Sequence, residues 1–165
     1  IGQGSLDFIY KSNYGEFIEK AKGIYEKYGD KIVLPSDLAY VENGERKECA
    51  VGSVPADICA VDIGSETAKA YEAIILAAKT VFVNGPMGIF EKPETELGTK
   101  TVFEALAASA GFTVVGGGDS VTAAAKYKVK DKLGYVCTGG GALIRFLTGE
   151  ELPVVKALRH AAQVF

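Results

Sequence analysis

Two glycine triplets, each placed directly after an apolar run, have the residue types that hold an anion. Val114-Val115 leads into Gly116-Gly117-Gly118, and Val136-Cys137-Thr138 leads into Gly139-Gly140-Gly141. If a helix begins at each triplet, bare backbone N–H groups and the positive end of the helix face the ligand. Glycines at such turns can also serve tight backbone geometry alone, and a single triplet leaves that alternative open. Two triplets in parallel positions favour an anion site.

Asp119 follows the first triplet, and two roles are open to it. An Asp at the start of a helix is a common N-cap. A carboxylate at the mouth of a phosphate site would instead repel the phosphate unless a cation lay between them, which predicts a direct or water-mediated Mg²⁺ ligand. Ser120 would then donate its hydroxyl to a phosphate oxygen. Neither the P-loop pattern nor the Gly-x-Gly-x-x-Gly dinucleotide pattern occurs in the chain, so generic nucleotide-binding motifs are not supported.

The elements that position these residues follow from alternating apolar and Ala-rich segments. A unit of short apolar run, polar or glycine turn and helix occurs four times, which predicts strands at 58–62, 80–83, 112–115 and 135–137 and helices from about 65, 99, 119 and 142. Such alternation predicts an α/β fold with an open parallel sheet and helices on both faces, a three-layer Rossmann-like arrangement. Ligands of such sheets bind at the carboxyl ends of the strands. Earlier in the chain, the pattern predicts a helix over 14–28, a strand at 32–35 and a β excursion or loop at 41–54.

Composition indicates one compact soluble domain. Of the 165 residues, 48% are hydrophobic and 24% charged, which excludes a disordered chain. The net charge of -3 argues against nucleic acid as a partner, and no apolar run reaches the roughly 20 residues of a membrane helix. Three cysteines with one histidine, His160, predict no zinc cluster and favour reduced thiols in the cytoplasm. Because the chain begins at Ile1, we expect a piece of a longer polypeptide.

The segment Asn84-Gly85-Pro86-Met87-Gly88-Ile89-Phe90-Glu91 adds a strand end, a compact turn, an amide and an acid at fixed spacing. Together with the two triplets, in this order and with these separations, it resembles the phosphoglycerate kinase family. The resemblance covers roughly residues 30–158. It implies that residues 1–165 are part of the C-terminal, nucleotide-binding domain of a bilobal kinase and that the N-terminal substrate domain is absent.

The resemblance also implies roles for single residues. At the sugar and base end, Glu91 would bind the ribose hydroxyls, and Pro86 and Ile89 would pack nearby. The phosphates would contact Asn84. The phosphate and Mg²⁺ end would consist of Gly117, Gly118, Asp119 and Ser120, whereas Gly139, Gly140 and Gly141 would meet the transferring phosphoryl group as catalytic backbone.

The implied reaction is the reversible transfer of a phosphoryl group between 1,3-bisphosphoglycerate and ADP, giving 3-phosphoglycerate and ATP, in cytoplasmic glycolysis or gluconeogenesis. ATP or ADP and Mg²⁺ would be the cofactors, and the fragment alone is expected to be inactive because the other substrate needs the missing lobe. The alternative is a non-catalytic α/β module that binds an anion or a nucleotide. Glu91 and Asp119 favour the first reading, because a turn that only closes the fold needs neither acid.

Three residues depart from the family pattern. Ala60 takes the place of a glycine beside the adenine, which implies a narrower base pocket or a different seating of the ring. Cys137 replaces a serine before the second triplet. Arg145 replaces an acid just after it, where it could strengthen an anion site or lie in solvent.

Overall fold

The computed structural model describes residues 2–164, which divide into two compact units. The first unit contains the residues up to Ile74 together with Met87–Val102. The second contains Ile75–Pro86 and the residues from Phe103 onward. No helix within residues 2–164 combines the length and the apolar character that a membrane crossing requires.

The first unit contains two leading helices and a small antiparallel sheet. The helices are α1 (Gly2–Lys11) and α2 (Phe17–Tyr28), and a short 3₁₀ turn follows at Gly29–Lys31. The strands β1 (Asp37–Glu42), β2 (Glu45–Ala50) and β3 (Asp62–Ile63) lie in the order β2-β1-β3. Asn43 and Gly44 form the two-residue turn between β1 and β2, both with positive φ (54° and 81°), as a tight hairpin requires.

Helix α3 (Ser65–Ala77) begins against this sheet, and acids from the hairpin satisfy its first N–H groups. The Asp37 carboxylate accepts hydrogen bonds from Glu66 N at 3.1 Å and Thr67 N at 2.8 Å. Glu48 Oε2 accepts from Ser65 N at 3.0 Å and from Ser65 Oγ at 2.6 Å. Asp37 and Glu48 therefore cap the start of α3 from outside the helix. The Ser65 hydroxyl donates to Glu48.

The second unit is built on a parallel sheet in the order β4-β5-β6. Its strands are β4 (Thr80–Asn84), β5 (Phe112–Gly116) and β6 (Tyr135–Cys137), and its helices are α5 (Gly118–Lys126), α6 (Gly140–Leu147), α7 (Pro153–Val164) and the later part of α4 (Leu97–Ala108). The core of this unit contains Phe103, Leu106, Val115, Ala123 and Ala124, all at most 1% exposed. The fold is three-layered α/β, with helices flanking a parallel sheet, as the sequence predicts.

Two strands of the sequence-based prediction differ from the structure. The strand predicted at 58–62 is wrong in place and direction, because only Asp62–Ile63 is a strand and it pairs antiparallel with β1. Residues 32–35 are not a strand, and Val33 and Leu34 are exposed. An apolar run does not report the direction of its partner strand, and it does not show whether a partner exists at all.

Candidate functional site

The three parallel strands end level with one another. Asn84, the last residue of β4, pairs with Gly116, the last residue of β5, and Gly116 pairs with Cys137, the last residue of β6. Just past this row, Gly117 N donates a hydrogen bond to Cys137 O at 3.1 Å. The carboxyl edge of the sheet therefore carries three neighbouring turns, at the position where open α/β sheets bind ligands.

Two of these turns open helices that have no side-chain cap. Gly117 is the N-cap of α5, and Gly139 is the N-cap of α6; neither helix start receives a hydrogen bond from a capping side chain. Gly117 has a φ of 94°, which side-chain-bearing residues rarely adopt. The first N–H groups of both helices remain available for a ligand, and the helix dipoles favour an anion there.

The two turns touch. A Cβ on Gly140 would stand 2.7 Å from the Gly117 Cα and 2.9 Å from the Gly117 N, so glycine is required for this approach. The Asn84 Oδ1 lies 3.1 Å from the same Cβ position and 3.1 Å from that of Gly117. The structure thus brings Asn84, Gly117 and Gly140 together, as the sequence predicts for the carboxyl edge of the sheet.

Two other glycines of the triplets, Gly118 and Gly141, distinguish tight backbone geometry from an anion site. Around Gly118 and Gly141, no atom outside the adjacent residues and the backbone of the same helix lies within 4 Å of the position that a Cβ would occupy, and both residues are exposed. Neither residue has a positive φ. Tight geometry explains Gly117 and Gly140 but not Gly118 and Gly141, whose missing side chains leave open space in front of the helix starts.

Asp119 and Ser120 follow in the first turn of α5 and differ sharply in exposure. Asp119 is exposed, and because Gly117 is the N-cap residue, Asp119 is not the cap. No hydrogen bond or ion pair connects its carboxylate to another residue of the described range 2–164. Ser120 is 0% exposed, and its Oγ accepts a hydrogen bond from Gly85 N at 2.7 Å. Its side chain therefore holds the turn after β4.

The other predicted ligand residues are distributed over both units. Pro86 is half-buried and directly follows the β4 turn in the second unit. Ile89 and Glu91 belong to the first unit, where both are exposed. The Ile89 N donates to Val61 O at 2.9 Å, so the backbone at Ile89 is fixed while its side chain is free.

A buried ion pair in the first unit escaped the sequence analysis. Arg46 Nη1 lies 3.1 Å from Asp62 Oδ2, with the Asp62 side chain fully buried and that of Arg46 16% exposed. Burial raises the pKa of Asp62, and hydrogen bonds from Gly98 N and Arg46 offset only part of this effect. Asp62 lies at the end of the strand predicted at 58–62, but nothing in the sequence pattern points to Arg46 as its partner.

Two further observations concern cations and Arg145. Among the described residues 2–164, no three His, Cys, Asp or Glu side chains cluster as a preformed metal site would require. Arg145 lies on α6 and is exposed, at the edge of an apolar hollow that also involves Gly141, Leu152 and Val154. Arg145 therefore lies in solvent, which is one of the two positions that the sequence leaves open.

A parallel sheet whose carboxyl edge carries two touching, uncapped helix starts defines a protein of the α/β class in which backbone N–H groups face one edge of the sheet. A family model described as phosphoglycerate kinase matches residues 6–150. Phosphoglycerate kinase of Methanothermus fervidus is 42% identical over 161 residues, which cover 98% of this chain and 39% of that protein. That of Thermoplasma volcanium is 41% identical over 167 residues, covering 100% and 41%. The chain belongs to the phosphoglycerate kinase family.

Solved structures agree with this assignment. The crystal structure of phosphoglycerate kinase from Pyrococcus horikoshii OT3 matches with a TM-score of 0.90 and 36% identity, over 99% of this chain and 41% of that one. The structure of the Coxiella burnetii enzyme matches with a TM-score of 0.80 and 29% identity, over 94% and 44%. The chain spans about two fifths of the length of the curated relatives described above.

Proposed function

We propose that this chain is the ATP- and ADP-binding part of a phosphoglycerate kinase. The parent enzyme would reversibly transfer a phosphoryl group between 1,3-bisphosphoglycerate and ADP, giving 3-phosphoglycerate and ATP. The observation that carries the proposal is the contact of Gly117 with Gly140 beside Asn84, which joins two uncapped helix starts at one edge of the sheet. Family membership supports the same reaction.

The phosphates would bind to backbone N–H groups at the starts of α5 and α6. Gly118 and Gly141 leave the room that a phosphate needs, and Asn84 would contact the phosphates from the neighbouring strand end. Gly139, Gly140 and Gly141 would then stabilise the charge that develops on the transferring phosphoryl group. Phosphoryl transfer depends mainly on positioning and charge stabilisation, which fixed backbone dipoles provide.

Asp119 fits a magnesium ion that is shared with the nucleotide. Mg²⁺ keeps several waters and is commonly held by one or two carboxylates plus substrate phosphates, so it needs no preformed cluster of protein ligands. The Asp119 carboxylate is exposed beside the open Gly118 and has no partner within residues 2–164. When bound, the ion would neutralise charge on the phosphates. The Ser120 side chain is 0% exposed, so we assign the phosphate contact at Ser120 to its backbone.

The sugar and base end would be formed by Pro86, Ile89 and Glu91. An exposed carboxylate can accept hydrogen bonds from both ribose hydroxyls, and an exposed Ile offers an apolar surface to the base. Both side chains are on the surface in the first unit, as a ligand contact requires.

We further infer that residues 1–165 belong to the nucleotide-binding domain and that the chain by itself binds nucleotide without turnover. It spans about two fifths of its relatives, and the acid substrate would require residues outside this span. A cytoplasmic location agrees with three free cysteines.

Calorimetric titration with ADP, with and without Mg²⁺, tests the proposal. We expect saturable binding that strengthens with Mg²⁺. Asp119→Asn should abolish the Mg²⁺ effect, and Glu91→Gln should weaken binding with or without the ion. Asp131→Asn is the matched control, because Asp131 is also exposed but lies before β6, at the amino edge of the sheet.

Other outcomes would contradict the proposal. Equal affinity for ADP and for free pyrophosphate, with no effect of Glu91→Gln, would favour the non-catalytic anion-binding module. Failure to bind either ligand would reject this edge as a preformed site.

A further inference from the structure

The guanidinium group of Arg46, on β2, connects this strand to β3 and to the Glu94 backbone, and its Nε also donates to Glu48 Oε1 on the same strand at 2.9 Å. Its Nη1 donates to Asp62 Oδ2 at 3.1 Å and to the Glu94 backbone oxygen at 3.3 Å. Its Nη2 donates to the Ile63 backbone oxygen at 2.9 Å. The rigid planar fork of an arginine can reach several acceptors at once, which the single ammonium group of a lysine cannot do in the same geometry.

Asp62 holds the end of the loop that contains Glu94 and leads into α4. Its Oδ2 accepts a hydrogen bond from Gly98 N at 2.8 Å, in the first turn of α4. Next to Asp62, the Val61 backbone oxygen accepts from Ile89 N at 2.9 Å. A Cβ on Gly88 would stand 2.4 Å from that oxygen and 2.6 Å from the Asp62 Cα. The loop therefore lies directly on the backbone around Asp62.

The segment held in this way is Met87–Gly98, which carries Ile89 and Glu91. No helix or strand lies between Asn84 and Leu97, so the shape of this segment depends on its anchors and not on a regular hydrogen-bond ladder. Thr99 Oγ1 accepts from the first two N–H groups of the segment, and further anchors occur at Ile89, at Glu94 in the middle and at Gly98 at the end. Because the Asp62 side chain is fully buried, removing Arg46 leaves an uncompensated charge beneath the segment.

We infer that Arg46 and Asp62 are positioning residues for ribose recognition: they hold the Met87–Gly98 segment so that Glu91 can reach the sugar hydroxyls. The inference rests on the proposed function, because it assigns a support to the residue proposed to bind ribose. Neither residue need touch the nucleotide for this role.

Adjacent cations on β2 provide a matched pair of variants. Arg46→Met removes the guanidinium but keeps most of the apolar length. Lys47→Met removes a charge from the next residue, whose side chain is 43% exposed and pairs with Glu42. Arg46→Lys is the conservative variant, which retains a positive charge near Asp62 but cannot donate to Asp62, Ile63 and Glu94 at the same time. Asp62→Asn retains an acceptor for Gly98 N without the buried charge.

The decisive measurement is the ratio of affinities for ADP and for an ADP analogue that lacks both ribose hydroxyls, measured by calorimetry on the whole chain with Mg²⁺. In the unmodified chain we expect a ratio of about tenfold or more, the typical effect of hydrogen bonds to a charged group. In Arg46→Met the ratio should fall close to one, whereas Lys47→Met should keep it. Affinity for pyrophosphate, which tests the glycine turns alone, should change little in either variant.

Hydrogen exchange of the Met87–Gly98 amides gives a second readout that needs no ligand. The increase in the exchange rate should be largest in Arg46→Met, intermediate in Arg46→Lys and smallest in Lys47→Met. If Arg46→Met does not fold, Arg46→Lys and Asp62→Asn decide the question with the same two measurements, each expected to lower the ratio.

The failures are distinguishable. An unmodified chain that does not discriminate between ADP and its analogue overturns ribose recognition itself, and with it the proposed function at this end. If the unmodified chain discriminates and every folded Arg46 or Asp62 variant keeps the full ratio, the positioning role is overturned and the proposed function remains. Faster exchange with an unchanged ratio would also overturn it, because the pair would then be only structural.

Discussion

The Ser120 Oγ accepts a hydrogen bond from the Gly85 backbone N at 2.7 Å, joining the start of α5 to the turn that follows β4. Both residues lie in the second unit, and Ser120 is completely buried. The sequence predicts that this hydroxyl contacts a phosphate, but its side chain is buried and holds one strand-end turn against another.

Replacing Ser120 by Ala should therefore lower stability. The Gly85 N–H would lose its acceptor, which should reduce the free energy of unfolding by about 1–2 kcal/mol. Urea denaturation measures the change. Thr122→Ala is the control, because Thr122 is exposed and donates to the Gly118 backbone oxygen within the helix. Unchanged stability combined with a loss of nucleotide affinity would instead show that the hydroxyl serves the ligand.

The glycines of the second triplet should respond oppositely to alanine. Gly141→Ala meets open space in a helix and should keep or raise the free energy of unfolding, by up to about 1 kcal/mol, while the new methyl group lowers ADP affinity. Gly140→Ala would place its Cβ against the Gly117 backbone and should destabilise the chain. Thermal unfolding and calorimetry together check both variants. A Gly141→Ala chain with full ADP affinity would argue that no ligand approaches the start of α6.

Acid should destabilise the chain through Asp37. Burial raises the pKa of Asp37, but hydrogen bonds from the Thr67 side chain and from the Thr67 and Glu66 backbones outweigh it, so the net pKa is lowered. A lowered pKa in the folded state contributes stability that is complete above the unfolded pKa, near pH 4, and is lost as the pH falls through the folded-state value.

Asp37→Asn is the variant that tests this dependence. At neutral pH it should reduce the free energy of unfolding by about 1–3 kcal/mol, because one of the two carboxylate oxygens that accept from the α3 N–H groups is replaced by an NH2 group. The difference from the unmodified chain should shrink as the pH falls below about 4. Urea denaturation over a pH series provides the measurement, and a difference that stays constant down to the lowest pH would contradict the assignment.

Asp62 should show the opposite sign. Its pKa is raised, chiefly by burial, so its contribution to stability is greatest when it is protonated and is lost as the pH rises through its folded-state value. Arg46→Met should cost about 3–5 kcal/mol at neutral pH, because a buried carboxylate loses its partner. Lowering the pH should restore part of that loss.

The double variant Arg46→Met with Asp62→Asn supplies the control. Removing both charges should be less destabilising at neutral pH than removing the arginine alone, since no buried charge remains. If the two single changes simply add, the ion pair does not couple the residues.

The candidate site was easier to predict than the strand pairing around it. Gly117 and Gly140 could be anticipated because an apolar run, a glycine triplet and a helix each leave a local signature, and parallel strands bring their carboxyl ends together. The burial of Ser120 could not be read in the same way. Its partner is a backbone N–H that is distant in sequence and has no side-chain signature.

Contacts between residues that are distant in sequence were also hard to predict in the first unit. The antiparallel pairing of Asp62–Ile63 with β1 depends on which strand edge is free, and the apolar run at 58–62 carries no such information. The sequence does not predict the pairing of Arg46 with Asp62 either, because arginines most often lie in solvent. Both are tertiary relationships between segments that look ordinary when each is considered alone.

The Asn43-Gly44 turn determines which of two neighbouring cations becomes an interior residue. Successive side chains of a strand point to opposite faces, and the two-residue turn sets Glu42 opposite Glu45, so Arg46 enters the interior and Lys47 faces solvent. Shifting the strand by one residue would exchange them. Asp62 would then meet a lysine with no planar fork, and the anchor of the neighbouring loop would be lost although its own sequence had not changed.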